Sequence, residues 1–168
     1  MLATATGGIS GDLDAIDLNG IGGSVAINGD NIELTVTGGS AYDTWASGFS
    51  LTGGAVDDDD NDSVENVLEF VLGGNPTTSD TGVLPDVTVT ATDYIFTFQR
   101  EDDSEAEVTL AFEYGNNLSG WTELAIGIDT ANSGSGVVVT ENADAPDLIT
   151  ITVPKSGTKL FGRLKAVK

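Results

Sequence analysis

The sequence predicts a mainly β protein in which two short helices flank a single acidic loop. Three observations support this fold class. Short apolar segments with period-two alternation recur through most of the chain, glycine-rich turns separate them, and a helical period is confined to residues 40–76. With 168 residues, 39% of them hydrophobic and 20% charged, the chain has the composition of a globular protein with a core.

Residues 1–39 predict a short β-meander. Its candidate strands cover residues 13–18, 24–27 and 31–37. In the third, Ile32, Leu34 and Val36 alternate with polar residues, as in a half-buried strand. The connection at 28–31 contains an Asn-Gly pair, which tolerates the positive φ of a hairpin turn. We expect this meander to complete a sheet or solenoid that continues upstream.

Residues 40–76 predict a helix, a loop and a second helix. The first apolar face has helical spacing and consists of Tyr42, Trp45, Ala46 and Phe49. The second consists of Val64, Val67, Leu68, Val71 and Leu72. Ser40 is a candidate cap for the first helix, and Gly73 with Pro76 behind it is a typical end for the second. Residues 52–57 separate the first helix from the loop, unlike the entering helix of an EF-hand.

The loop at 58–69 has the ligand spacing of an EF-hand-like calcium site. Such loops use side-chain oxygens at positions 1, 3 and 5, a carbonyl at 7, often a water at 9 and a bidentate glutamate at 12. These positions are filled, in order, by Asp58, Asp60, Asp62, Val64, Asn66 and Glu69. A shift of one residue in either direction loses the closing glutamate. We therefore predict one Ca²⁺ site, since Mg²⁺ prefers octahedral geometry with retained waters.

Two positions depart from the usual loop. Ser63 stands at the sixth position, where glycine normally makes a turn with positive φ, and a non-glycine residue there costs roughly 1 to 2 kcal/mol. Glu65 stands at the eighth position, which is usually apolar. The alternative interpretation is a solvated acidic loop, which is what most charge runs are. The phased Glu69 favours the metal site, because packed carboxylates without a cation repel one another.

After a polar linker at 77–85, residues 86–168 predict an antiparallel β-sandwich of about seven strands. The candidate strands cover 87–91, 94–99, 107–114, 121–126, 136–141, 148–153 and 160–167. Seven short strands at this spacing are typical of fibronectin III and immunoglobulin-like sandwiches, although the pattern alone does not distinguish a sandwich from a barrel.

Charge and composition exclude several functions. The chain has 27 acidic and 6 basic residues, a formal net charge of -21, and five of the basic residues lie in 155–168. This charge disfavours nucleic acids and anionic membranes and favours cations as partners. There is no cysteine or histidine, which excludes disulfides and argues against soft-metal sites. No apolar run is long enough for membrane insertion.

Catalysis and sugar binding have weak support. No Gly-x-Ser-x-Gly motif occurs, and no pair of carboxylates is indicated as a catalytic pair, so we expect no enzyme. Trp45 and Trp121 could stack on sugars, but core positions are favoured for both. The acidic groups at 12–17 and 101–105 are interpreted as solvated loops.

Three segments carry a resemblance to a known group of proteins. The run at 42–49, the loop with its continuation to Gly73, and the strands around Trp121 resemble the C-terminal regions of large secreted verrucomicrobial and planctomycete proteins. Those proteins often carry autotransporter-associated β-strand repeats upstream. The loop itself is similar to dockerin and thrombospondin type 3 calcium loops. The resemblance implies an extracellular or cell-surface, calcium-dependent, non-catalytic terminal module.

These observations lead to one principal expectation and two alternatives. We expect a structural, interaction or adhesion module at the C-terminus of an exported bacterial surface protein, with calcium fixing the two helices between meander and sandwich. Its partners would be calcium and other surface proteins or glycans, and the chain would be a fragment of a longer protein. One alternative is a carbohydrate-binding accessory module of a secreted polysaccharide-degrading enzyme. The other is an anchoring or secretion-recognition domain that uses the basic tail.

Overall fold

A computed structural model describes residues 23–28, 31–36, 39–143 and 145–168. Within these ranges the chain forms two α-helices and nine β-strands, and the strands pair antiparallel in sheets of two, four and three. Neither of the two larger sheets closes into a barrel. The prediction of a mainly β fold with two helices is confirmed.

The N-terminal part contains a hairpin. Strand β1 (Gly23–Asn28) pairs with β2 (Asn31–Val36), and Asn28 lies opposite Asn31 across the connection. This register agrees with the predicted turn. The candidate strand at 13–18 lies outside the described residues, so the full meander stays a prediction.

Both predicted helices are present. Helix α1 spans Ala41–Phe49, and the Ser40 hydroxyl caps it by accepting from the Asp43 amide at 3.0 Å. Helix α2 spans Asn66–Leu72 and ends at Gly73, whose φ of 73° is the left-handed conformation that favours glycine. Val64, predicted on the second helical face, lies in the loop before α2, where its side chain is buried.

The seven predicted C-terminal strands form the two larger sheets. The four-stranded sheet has the order β3-β4-β8-β7 and consists of β3 (Asp86–Val89), β4 (Asp93–Arg100), β8 (Asp147–Pro154) and β7 (Val137–Thr140). The three-stranded sheet has the order β6-β5-β9 and consists of β6 (Thr122–Ile126), β5 (Thr109–Gly115) and β9 (Phe161–Val167). Alternation of apolar and polar residues thus identified each strand to within about two residues at most ends.

One hydrophobic cluster joins both sheets and both helices. The rings of Phe96 on β4 and Phe112 on β5 lie 4.6 Å apart between centroids, so the two sheets contact each other through their aromatic rows. A Cβ at Gly162 of β9 would stand 2.5 Å from the Phe112 ring, which explains why glycine occupies this position. Phe70 and Val71 of α2 belong to the same buried cluster. The helices therefore share the core of the sheets.

Polar contacts attach the helices to the sheets. The Glu107 carboxylate, just before β5, accepts from the backbone amides of Ala41 and Tyr42 at the start of α1. The Lys168 ammonium lies 3.3 Å from an Asp43 carboxylate oxygen and 4.6 Å from the Tyr42 ring centroid. Within the described part of the chain, no helix combines the length and hydropathy that crossing a bilayer requires.

Candidate metal centre

Three aspartates converge in the loop between α1 and α2. One carboxylate oxygen from each of Asp58, Asp60 and Asp62 lies within 4.8 Å of the other two. Like charges this close repel each other unless a cation or hydrogen bonds compensate them. These three predicted ligands are spaced two residues apart in the sequence, and the loop brings them together.

Backbone amides of the loop hold Asp58 in place. Its Oδ1 accepts from Asn61 N at 2.7 Å and from Asp62 N at 3.2 Å, and its Oδ2 accepts from Ser63 N at 2.9 Å. These three hydrogen bonds hold the backbone of residues 61–63 in a turn around the Asp58 carboxylate. Asn61 and Ser63 have φ values of 65° and 77°, so Ser63 adopts the left-handed conformation that glycine usually supplies at the sixth position of such a loop.

The next two aspartates are held in the same way. Asp60 Oδ1 accepts from Asp62 N at 3.1 Å, and Asp62 Oδ1 accepts from Val64 N at 2.9 Å. Asp62 Oδ2 accepts from Asp80 N at 2.8 Å, which ties the linker to the loop. Asp60 Oδ2 is buried and has no hydrogen-bond partner. Burial and the neighbouring charges of Asp62 and Asp58 raise the pKa of Asp60, although its hydrogen bond from Asp62 N opposes this.

Glu69 is the most unusual residue of the site. Its side chain on α2 is 1% exposed, and neither Oε1 nor Oε2 has a hydrogen-bond partner among the residues that the structure describes. Burial in the first place, and then the charges of Asp60 and Asp62, raise the pKa of Glu69 to about 7. A buried carboxylate with two unsatisfied oxygens beside other carboxylates requires a compensating cation or a proton. Two free oxygens on one carboxylate are what bidentate binding of Ca²⁺ uses.

Asn66, predicted at the ninth ligand position, has its side chain engaged elsewhere. It is fully buried, and its Nδ2 donates to Gly54 O at 2.9 Å and to Asp59 Oδ1 at 3.1 Å. Its Oδ1 accepts from Asp59 N at 3.3 Å. Among the described residues, the acidic trio does not include Glu69 within its 4.8 Å spacing.

The sequence identified residues 52–57, here named the strap, as a gap between the first helix and the loop, but it did not predict their contacts. The strap lies against the start of α2, where Asn66 N donates to Asp57 O at 2.8 Å and Val67 N donates to Ala55 O at 2.9 Å. Asp59 accepts from Thr52 N at 2.7 Å and from Gly53 N at 3.0 Å. Hydrogen bonds from Thr52 and Asn66 hold the pKa of Asp59 below its usual value. The Gly53-Gly54 pair was the available signal of a tight turn.

A second acidic cluster occurs near Arg100. Oxygens of Asp102, Glu105 and Asp147 lie within 4.8 Å of one another. The Arg100 guanidinium is 3% exposed, pairs with Glu105 and lies 2.8 Å from Asp147. Burial raises the pKa of Asp147, but hydrogen bonds from Arg100 and Asn142 outweigh it and lower that pKa overall. The Arg100 guanidinium therefore supplies the positive charge that compensates this cluster.

Both tryptophans and the basic residues of the C-terminal tail contact other residues of this chain. Trp45 packs with Tyr42, Phe49 and Phe70 at centroid distances of 5.2 to 5.6 Å. The Arg163 guanidinium lies 4.5 Å from the Trp121 ring centroid. All the basic tail residues make an ion pair or a cation–π contact with this chain, and these residues are Lys155, Lys159, Arg163, Lys165 and Lys168.

No family model, curated protein or solved structure matches the chain.

Proposed function

We propose that this protein is a non-catalytic, calcium-stabilised structural or interaction module of an exported bacterial surface protein. Glu69 carries the proposal, because its carboxylate is buried, has no hydrogen-bond partner among the described residues, and has a pKa that is raised by burial and by the charges of the three convergent aspartates. The ligands would be Asp58, Asp60, Asp62, the Val64 carbonyl and Glu69.

Calcium would stabilise the fold by removing an electrostatic penalty. Four carboxylates that repel one another are held by the loop amides and by α2, and their negative charge favours a divalent cation. A ligand that binds only the folded state stabilises it by about 2.7 kcal/mol at a concentration 100 times its dissociation constant. Carboxylate and carbonyl oxygens are the ligand class of a hard cation such as Ca²⁺.

The bound ion would act mechanically. Helix α2 carries Glu69, while Phe70 and Val71 beside it lie in the core that both sheets share. A cation held by Glu69 and the loop aspartates would therefore fix the loop to this core. We further propose that the two larger sheets form an immunoglobulin-like or fibronectin III-like sandwich, which the contact between Phe96 and Phe112 supports.

Contacts of the chain favour this function over the alternatives. Sugar stacking needs a free aromatic face, whereas Arg163 covers one face of Trp121 and Trp45 packs among aromatic rings. Anchoring through the basic tail needs free cations, whereas Lys165 and Lys168 pair with carboxylates of this chain. The high negative charge suits a calcium-rich extracellular or cell-surface setting, with surface proteins or glycans as partners.

Calorimetric melting in calcium and in chelator tests the proposal. We expect the wild-type protein to melt several degrees higher in calcium, because about 2 to 3 kcal/mol of binding energy shifts the melting temperature by that amount. Glu69→Ala is expected to abolish the difference, and Glu65→Ala, which changes an exposed carboxylate in the same loop, is expected to retain it. Superimposable wild-type curves would contradict the proposal.

A further inference from the structure

Asn66 has the contacts of a structural clamp. Its side chain is fully buried, and the three hydrogen bonds of its side-chain amide join it to Gly54 and Asp59. Gly54 lies before the loop, and Asp59 lies at its start. Neither partner is a predicted ligand. An amide that makes three hydrogen bonds in a dry environment is held in one orientation, since breaking them would leave buried polar groups unsatisfied.

Asp59 extends this clamp to the strap. One carboxylate oxygen accepts from Thr52 N at 2.7 Å and Thr52 Oγ1 at 3.0 Å, and the other accepts from Gly53 N at 3.0 Å and Asn66 Nδ2 at 3.1 Å. All of these donors lie outside the cluster of converging aspartates. Asp59 therefore points away from its neighbours Asp58 and Asp60 and joins the two ends of the loop.

The strap occupies the place of an entering helix. An EF-hand holds its loop between two helices, whereas here α1 ends at Phe49 and the chain reaches the loop through residues 52–57. The strap carbonyls of Ala55 and Asp57 accept from Val67 N and Asn66 N, so the first turn of α2 is bonded to the segment before the loop.

We propose that Asn66 is a positioning residue, which holds the calcium loop closed through Asp59 and the strap, and that it is not a ligand of the ion. This inference rests on the proposed function, and it assigns the ninth loop position a role that the ligand spacing alone does not give. Partners that orient metal ligands typically change metal affinity 10- to 100-fold when they are removed.

Asn66→Asp separates the two roles by the sign of its effect. If Asn66 were a ligand, a carboxylate in its place would keep or increase calcium affinity. If Asn66 is a clamp, aspartate loses both Nδ2 donors and sets a carboxylate against that of Asp59, so affinity falls even though negative charge was added. The control is Asn61→Asp, which adds the same charge at an exposed position of the loop.

The experiment is calorimetric titration of each folded variant with calcium. We expect Asn66→Asp to bind at least about ten-fold more weakly than the wild type, and Asn61→Asp to bind as tightly or more tightly. Melting in chelator identifies variants that are folded before titration.

A milder variant keeps the test valid if Asn66→Asp fails to fold. Thr52→Val removes one exposed hydrogen bond to Asp59 and should weaken calcium binding roughly two- to ten-fold. Undiminished affinity in Asn66→Asp or, where that variant does not fold, in Thr52→Val would overturn the clamp while leaving the calcium site intact. A wild-type protein that binds no calcium would instead overturn the proposed function.

Discussion

Glu69 shows how a single residue points to a ligand. A carboxylate that is 1% exposed, with no hydrogen-bond donor for either oxygen, is an expensive arrangement in a folded protein. Buried polar groups are otherwise almost always paired. The proposed metal site accounts for this arrangement, because Glu69 lies at the end of a loop in which three aspartates converge.

Ser63 carries backbone strain that a substitution can remove. Its φ of 77° is unfavourable for a residue with a Cβ, and glycine adopts it without that cost. We predict that Ser63→Gly raises the free energy of unfolding by about 1 kcal/mol and tightens calcium binding, as measured by chemical denaturation and by titration. Ser79→Gly, at an exposed position without positive φ, is the control and should give no gain. Equal or lower stability of Ser63→Gly would refute the strain argument.

The loop residues also show where sequence reasoning ends. Ligand spacing identified Asp58, Asp60 and Asp62, because a repeat of two residues in such a loop turns alternate side chains inward. It did not identify the contacts of Asn66, since spacing carries no information about Gly54 and Asp59, which lie twelve and seven residues earlier. Long-range hydrogen bonds of an irregular segment leave no periodic signal.

Regular elements were predictable for the same physical reason. Most of the seven C-terminal strands and both helices bury residues in the core, and burial of one face produces a period of two or of about 3.6 residues, although all four residues of β3 are exposed. The sequence of the strap has no helical or strand period. Hydrogen bonds to the backbone of α2 and to the carboxylate of Asp59 hold this segment in place. The order of the strands in each sheet could not be predicted either. Alternation of apolar and polar residues indicates which face of a strand is buried, but it does not indicate which strands are neighbours.

Helix α1 depends on a carboxylate from outside the helix. Glu107 accepts from the backbone amides of Ala41 and Tyr42, which have no partner within the helix because they lie at its start. The positive charge of Lys168 further favours the ionised form of Glu107. Burial acts to raise the pKa of Glu107, but these contacts outweigh it and lower the pKa below its usual 4.5. The bonds between helix and sheet are therefore strongest when Glu107 is ionised.

This capping predicts a pH-dependent stability difference. A lowered folded-state pKa means that the unfolded chain binds the proton more readily, so the stabilisation is present above about pH 4.5 and is lost as pH falls through the folded pKa. At pH 7 we expect Glu107→Gln to lower the free energy of unfolding by about 1 kcal/mol, and the gap to the wild type should narrow towards about pH 3. Urea denaturation across this range measures it, with Glu141→Gln, an exposed carboxylate, as the control. A gap that is independent of pH would contradict the capping role.

At the scale of the whole molecule, one core connects the candidate metal site to the sheets. Tyr42 of α1 and Phe70 of α2 meet edge to face at 5.5 Å, and both belong to the cluster that contains Phe96, Phe112 and Ile151. A cation at Glu69 would therefore stabilise the sheets as well as the loop. The formal net charge of -21 acts in the same direction, because self-repulsion is relieved by any bound cation.

The number of calcium ions bound per chain tests the proposed calcium site. Equilibrium dialysis of the wild-type protein, Glu69→Gln and Glu65→Gln against micromolar calcium, followed by metal analysis, gives the number of ions per chain. We predict about one ion per chain for the wild type and for Glu65→Gln, and a large loss for Glu69→Gln, which removes the closing bidentate carboxylate. Absence of bound calcium in the wild type, or equal binding by Glu69→Gln, would contradict the account.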